Sequence, residues 1–332
     1  MDMDMIINPA KLPDEIKAFK KGIKGGKGDK LESILGDKPI SLERFFPDCI
    51  SDGRIKDAHI SKELKELISK HNLTKCKLIT SEAIHTAVDI AYNDASRTMK
   101  DIGKHEQQKN YALIYIEALL YSFFDKQALP KDAFEKKHKV LCDIWHTSFG
   151  DDKLGSYGKA QKIINMAFKY LYCRKKGKMG HFKYCHMPLD SFTLKWFERN
   201  VKSEISGENV KTFKINDEYR WSNIGGYGGY EEYALIQKEI ENYINNKKGF
   251  SLSPLELEFI VWPEIQNHLS AEAFLSRLVD DMYLHGKLPE EECLAKDEII
   301  KMPLEGKYEC ISNYLQVKKL LNEIKEITAK AE

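Results

Sequence analysis

Along the middle of the chain, apolar residues return every three or four positions, the period of a helix with one buried face. From Ser81, SEAIHTAVDIAYNDASRTMK sets Ile84, Val88 and Tyr92 four apart behind a serine suited to capping a first turn. HEQQKNYALIYIEALLYSFFDK repeats the period with Leu113, Ile116, Leu119 and Leu120 and stops before Pro130. A third apolar helix is expected around 132–146 and a fourth over 158–172, with SFGDDKLGSYG between them. Period-two alternation, the mark of a half-buried strand, is scarce. The fold class expected is all-α.

The flanks are less regular. Residues 41–75 read as short helices and turns anchored by Phe45, Phe46, Leu64, Leu67 and Ile68, and the lysine- and glycine-rich residues 17–30 read as a mobile arm or loop. GGKGD lacks the glycine-lysine-serine/threonine ending of a nucleotide cradle and is an ordinary basic loop. GGYGGY at 225–230 is a connector, after which EEYALIQKEIENYINNKKG forms an amphipathic helix closed by Gly249. Further on, SPLELEFIVWPEI, SAEAFLSRLVDDMYLHG and SNYLQVKKLLNEIKEI suggest a smaller helical subdomain, with Phe274, Leu278 and Met282 on one stripe. Three regions follow: an arm with short helices over 1–75, a helical core over 76–250 and a C-terminal helical subdomain over 251–332.

A chain of 332 residues has ample capacity for a core without covalent staples. Lys and Arg number 52 against 51 Asp and Glu, so a wholly basic nucleic-acid coat protein is excluded and only local basic patches are left for such a partner. The seven cysteines are scattered, odd in number and free of C-x-x-C pairs, which argues against a disulfide framework or a zinc ribbon and for a reducing cytoplasm. The opening MDMDMIINPAKLPDE lacks the order of a signal peptide, and the longest apolar stretch, ALIYIEALLY, is short and carries Glu117. A soluble cytoplasmic monomer with no membrane partner is expected.

Chemistry concentrates in two neighbouring stretches, YGKAQKIINMAFKYLYC over 157–173 and HFKYCHMPLDS over 181–191. Lys162 lies in the first turn of a helix that follows the glycine-bearing turn LGSYG, and Asp190 stands where a new helix begins, an N-cap position. The plain reading is a solvated lysine and a cap.

The order of a glycine-bearing turn, a lysine opening an apolar helix, and then MPLDS resembles the helix-hairpin-helix DNA glycosylase superfamily, most of all its archaeal 8-oxoguanine glycosylase branch. Ala167 and Lys169 match that branch's alanine five and lysine seven positions after the lysine, and Pro188, Asp190 and Ser191 match its proline-x-aspartate-serine. The resemblance spans about 45 residues. It implies two helical subdomains flanking a DNA-binding cleft, Lys162 as amine nucleophile and Asp190 as its essential carboxylate. LGSYG lacks the proline of the common hairpin, the 28-residue interval from Lys162 to Asp190 is longer than in most bacterial members, and Lys159 competes for the nucleophile's role. No cysteine follows Asp190 until Cys293, which excludes the iron-sulfur cluster of some members; no cofactor or metal is expected.

On that reading the partner is double-stranded DNA with a damaged or modified base. Cleaving the N-glycosidic bond develops positive charge on the sugar, which a carboxylate stabilises, and a deprotonated lysine can attack C1′ and permit AP-lyase strand cleavage. The target base leaves the stack and is held between flat side chains, for which Trp145, Tyr157, Trp196 and Trp221 are at hand. Gly158, Lys159, Arg174, Lys175, Lys176 and Lys178 would contact DNA. Three rivals are weighed beside this reading. Cys173, His181, Cys185 and His186 could form a zinc site, and Cys185 beside His186 a hydrolase. The third is a catalytically silent helical protein, nucleic-acid-binding or serving antiviral defence, in which Lys162 and Asp190 are tied up structurally.

Overall fold

The computed structural model describes residues 7–23, 38–50, 62–71, 78–124, 127–150, 153–173, 179–201, 220–225, 229–247 and 251–284, with Glu309 and Ser312. It is mostly helical, as the period requires. Among the described residues the one sheet pairs two-residue strands, β1 (Ile40–Ser41) and β2 (Ile79–Thr80), antiparallel with Ile40 opposite Thr80. The chain divides into two compact units, Ile7–Val261 and Trp262–Glu332 with Met1–Ile6.

Among the described residues of the larger unit the α-helices are α1 (Leu12–Gly22), α2 (Pro47–Ile50), α3 (Lys62–Lys70), α4 (Glu82–Ser96), α5 (Glu106–Phe124), α6 (Lys131–Phe149), α7 (Tyr157–Tyr172), α8 (Ser191–Trp196) and α9 (Gly229–Asn246); α10 (Pro254–Leu284) begins there. Ser81 caps α4, its Oγ accepting from the Ile84 amide at 3.3 Å. Ala83, Ala87, Ala91 and Ala95 recur every four residues on α4 and are wholly buried, so the backbone can approach its neighbour closely. That neighbour is chiefly α7, which also packs on α6, α9 and the turn Trp221–Asn223.

All sixteen residues of α7 are buried. An apolar stripe facing a core would leave its polar positions in water. Here Lys159, Gln161, Lys162, Asn165 and Lys169 are enclosed as well, because each bonds to another part of the fold.

Some expectations need correction. Of residues 17–30, expected as a loop, those up to Gly22 continue α1, and Phe19 packs on Tyr170 and Phe259; residues 24–30 lie outside the described residues. Gly249, expected to close α9, also lies outside them. The two segments read around Pro263 are one helix, α10, with Pro263 inside it. Phe274 is 58% exposed, and the buried positions of that stretch are Leu275 and Val279, one residue further on. A single-residue change of phase turns a helix by about 100°, enough to carry Phe274 off the buried side.

Candidate functional site

The first turn of α7 is fixed by its surroundings. Ser156 caps it, with Oγ accepting from the Lys159 amide at 3.4 Å and donating to the Ser222 carbonyl at 2.6 Å. The Gly158 amide donates to the Ile224 carbonyl at 3.0 Å, and a Cβ on Gly158 would stand 1.9 Å from the Trp221 carbonyl oxygen. Glycine is required because the turn Trp221–Asn223 lies against the helix backbone.

One turn later Lys162 leaves α7 and meets Asp190, Nζ donating to Oδ2 at 2.8 Å. The lysine side chain is 10% exposed and the aspartate 13%. Asp190 is also the cap of α8: Oδ1 accepts from the Phe192 and Thr193 amides, both at 3.0 Å, and the Asp190 amide donates to Thr193 Oγ1 at 2.7 Å. The two oxygens thus divide the work, one holding a helix end and the other facing the ammonium. The cap orients the carboxylate through bonds that do not involve Lys162.

Two turns along α7, Lys169 pairs with Glu258 of α10, the side chains 5% and 1% exposed. Phe19 and Phe259 cover the ammonium, their ring centres 4.2 and 4.7 Å from Nζ. Burial pushes the Glu258 carboxyl above its ordinary range; the Lys169 ammonium pulls the other way, as does Lys162, while Asp190 adds to the rise. The two pairs therefore feel one another's charge along one face of α7.

Between the lysines runs a chain of buried hydrogen bonds. Asn165 Nδ2 donates to Tyr233 OH at 2.8 Å and to Gln161 Oε1 at 3.0 Å, and Asn165 Oδ1 lies 2.8 Å from His138 Nε2. His138 Nδ1 is 2.9 Å from Tyr230 OH, His186 Nδ1 is 2.8 Å from Tyr233 OH, and His186 Nε2 is 3.0 Å from Glu135 Oε1. A neutral His138 that donates through Nε2 and accepts through Nδ1 satisfies this order. Burial, then the neighbouring His186, holds its imidazole well below its ordinary range.

The remaining sequence-derived residues are distributed differently from expectation. Trp145 and Trp196, expected to hold a base, are wholly buried core rings. Trp145 Nε1 donates to the Leu154 carbonyl at 2.8 Å, and Trp196 meets Tyr243 edge-on at 5.5 Å. Tyr157 is buried and donates its hydroxyl hydrogen to Asp143 at 2.9 Å; Trp221 is half-buried and keeps a solvent-facing edge. Gly158 and Lys159, expected at a DNA surface, are enclosed: the first gives its amide to Ile224, the second its ammonium to the Lys153 carbonyl. Arg174, Lys175, Lys176 and Lys178 lie outside the described residues.

Among the described residues no group of three or more His, Cys, Asp or Glu side chains is placed to hold a metal. Of the proposed zinc ligands, Cys185 Sγ reaches the His181 carbonyl at 3.7 Å, His181 packs on Phe123 and Phe124, and His186 is spent on Tyr233 and Glu135. The Cys185 thiol is pushed well up by burial, the opposite of an activated nucleophile.

Sequence reasoning missed Glu258, Gln161 and Asn165. No local signal marks Glu258, because its partner Lys169 lies 89 residues earlier in the chain. Compared with known family profiles, with curated proteins and with solved structures, the chain matches none.

Proposed function

We propose that this chain is a DNA glycosylase-like enzyme of the helix-hairpin-helix kind, with Lys162 as its amine and Asp190 as its carboxylate. One observation carries the reading: residues 28 apart in sequence place an ammonium and a carboxylate 2.8 Å apart, both largely buried, with the carboxylate held independently by a helix cap. A sugar bound at this pair has a nucleophile and a countercharge within reach of one carbon.

The chemistry follows from the two groups. The deprotonated Lys162 amine attacks C1′ of the deoxyribose, the bond from C1′ to the base nitrogen breaks, and its electron pair departs with the base, which takes up a proton. Asp190 stabilises the positive charge that develops on the sugar. One of the two amine protons then passes to the sugar ring oxygen as the bond from C1′ to that oxygen breaks, and the nitrogen lone pair closes the C=N bond, leaving a protonated imine that joins Lys162 to DNA. If the amine stays protonated, water adds at C1′ instead and no covalent intermediate forms.

A second reading has its own support. Asp190 commits Oδ1 to the cap and Oδ2 to Lys162, so the pair also serves as a staple between α7 and α8 in a catalytically silent nucleic-acid-binding or antiviral defence protein.

Borohydride trapping on duplexes carrying oxidised, deaminated, alkylated or bulky modified bases separates the readings, with alkali-revealed strand breaks scored alongside. The enzyme reading expects a trapped wild-type complex that is lost in Lys162→Gln, or alkali-dependent breaks lost in Asp190→Asn. Folded protein that yields neither on any duplex defeats the enzyme reading.

A further inference from the structure

The main chain leading into Asp190 passes through His186, Met187, Pro188 and Leu189 with neither helix nor strand, and Met187 and Leu189 are wholly buried. Buried backbone groups need partners, yet the only sheet among the described residues lies elsewhere, between β1 and β2. Side-chain amides take the place of a neighbouring strand. Gln237 of α9 accepts from the Met187 amide at 3.0 Å and donates to its carbonyl at 2.8 Å. Gln161 of α7 accepts from the Leu189 amide at 3.1 Å and donates to its carbonyl at 2.8 Å. Pro188, between them, has no N–H to satisfy, and its carbonyl accepts from Thr193 Oγ1 at 3.0 Å.

This arrangement admits one register. A shift by one residue would bring Pro188 to an amide oxygen that needs a donor and would leave a buried N–H without an acceptor. The orientation of the Gln161 amide is itself set, because Asn165 Nδ2 donates to Oε1 at 3.0 Å, which leaves Nε2 for the carbonyls of Leu189 and Gly158.

We infer that Gln161 is the positioning residue of the Lys162–Asp190 pair. It immediately precedes Lys162 and grips both backbone groups of the residue that immediately precedes Asp190, so both members of the pair are referenced to one carboxamide. The functional part of this inference rests on the glycosylase reading; the geometric part does not.

The test uses the full-length chain. Gln161→Met keeps the length of the side chain and removes its hydrogen bonds. Its crystal structure is expected to show the Lys162–Asp190 contact opened beyond about 4 Å, the limit of an ion pair. On a duplex that the wild type traps, kcat is expected to fall about 100-fold with KM within about threefold, the signature of misplacement rather than lost binding. A contact still at 2.8 Å in Gln161→Met overturns the inference whatever the activity, and so does an opened contact with unchanged kcat. A wild type that neither traps nor gives alkali-dependent breaks on any duplex defeats the glycosylase reading, and the crystal structures then decide the positioning claim alone.

Gln161→Glu gives a second arm should Gln161→Met fail to fold. A protonated carboxyl offers Leu189 one donor and one acceptor, as the amide does, whereas the ionised form offers no donor. Its rate relative to wild type is expected to be highest in acid and to drop about tenfold or more as the carboxyl ionises. For the same reason the contact is expected to be closed in crystals at low pH and open at high pH. A pH-independent contact distance in this variant overturns the inference even without activity.

Discussion

Replacing Lys169 by Met strands a carboxylate 1% exposed in the interior, and the structure sets how much that costs. The Met side chain fills most of the space under Phe19 and Phe259, so lost packing is minor beside the lost charge. An unpaired buried carboxylate does not stay charged; Glu258 takes up a proton, and the cost becomes that of protonating a group whose ordinary value is 4.5. At about 1.4 kcal/mol per pH unit, that sets a ceiling of about 3.5 kcal/mol at pH 7 and about 0.7 kcal/mol at pH 5. The sign follows from proton binding: the folded variant holds a proton that the unfolded chain has released, so stability is lost as pH rises above 4.5. Urea unfolding of wild type and Lys169→Met at pH 5, 6 and 7, with equal m-values, is expected to give a difference that grows with pH toward that ceiling. Lys169→Met combined with Glu258→Leu is expected to recover most of the loss at pH 7, because a matched apolar pair replaces a buried ion pair at little net cost. A destabilisation that does not change with pH, or a double variant no better than the single one, would refute the account of a charge stranded in the core.

Other outcomes are nearer the first turn of α7 and the cap of α8. Gly158→Ala places a methyl group 1.9 Å from the Trp221 carbonyl oxygen and is expected to cost about 1–3 kcal/mol by thermal unfolding, with Trp221 fluorescence shifting as the turn is pushed off the helix. Asp190→Asn keeps a capping oxygen for Phe192 and Thr193 and is expected to stay within about 0.5 kcal/mol of Asp190→Ser, another good cap, whereas Asp190→Ala is expected to cost about 1 kcal/mol more by urea unfolding.

Local signals gave the helices well. Ser81 and Pro130 mark real boundaries because a cap and a missing N–H act within one turn of sequence. The proximity of Lys162 and Asp190 was legible only through the resemblance, since Lys162 lies in the second turn of α7 and an N-cap position fixes Asp190 relative to its own helix alone. What sequence could not give was the partner of a polar residue. Gln161, Asn165 and Lys169 sit at positions where period alone leaves them to solvent, and only the arrival of Leu189, Tyr233 and Glu258 from distant stretches accounts for their burial. A glycine and a lysine at a helix start look alike in sequence whether they meet phosphate or, as Gly158 and Lys159 do, the chain's own carbonyls. Phe274 failed for a smaller reason, a stripe read one residue out of phase.

The enclosure of α7 on every side has a consequence for how such a chain can change over generations. Lys162, Asn165 and Lys169 each answer to a residue on a different element, so a single replacement at any of them leaves a stranded partner that selection would remove. Drift along this helix is therefore expected to move in matched pairs, Lys169 with Glu258 and Asn165 with Tyr233, each member waiting on the other. Descendants of one ancestor could in this way keep the enclosed helix while exchanging the letters that make it recognisable.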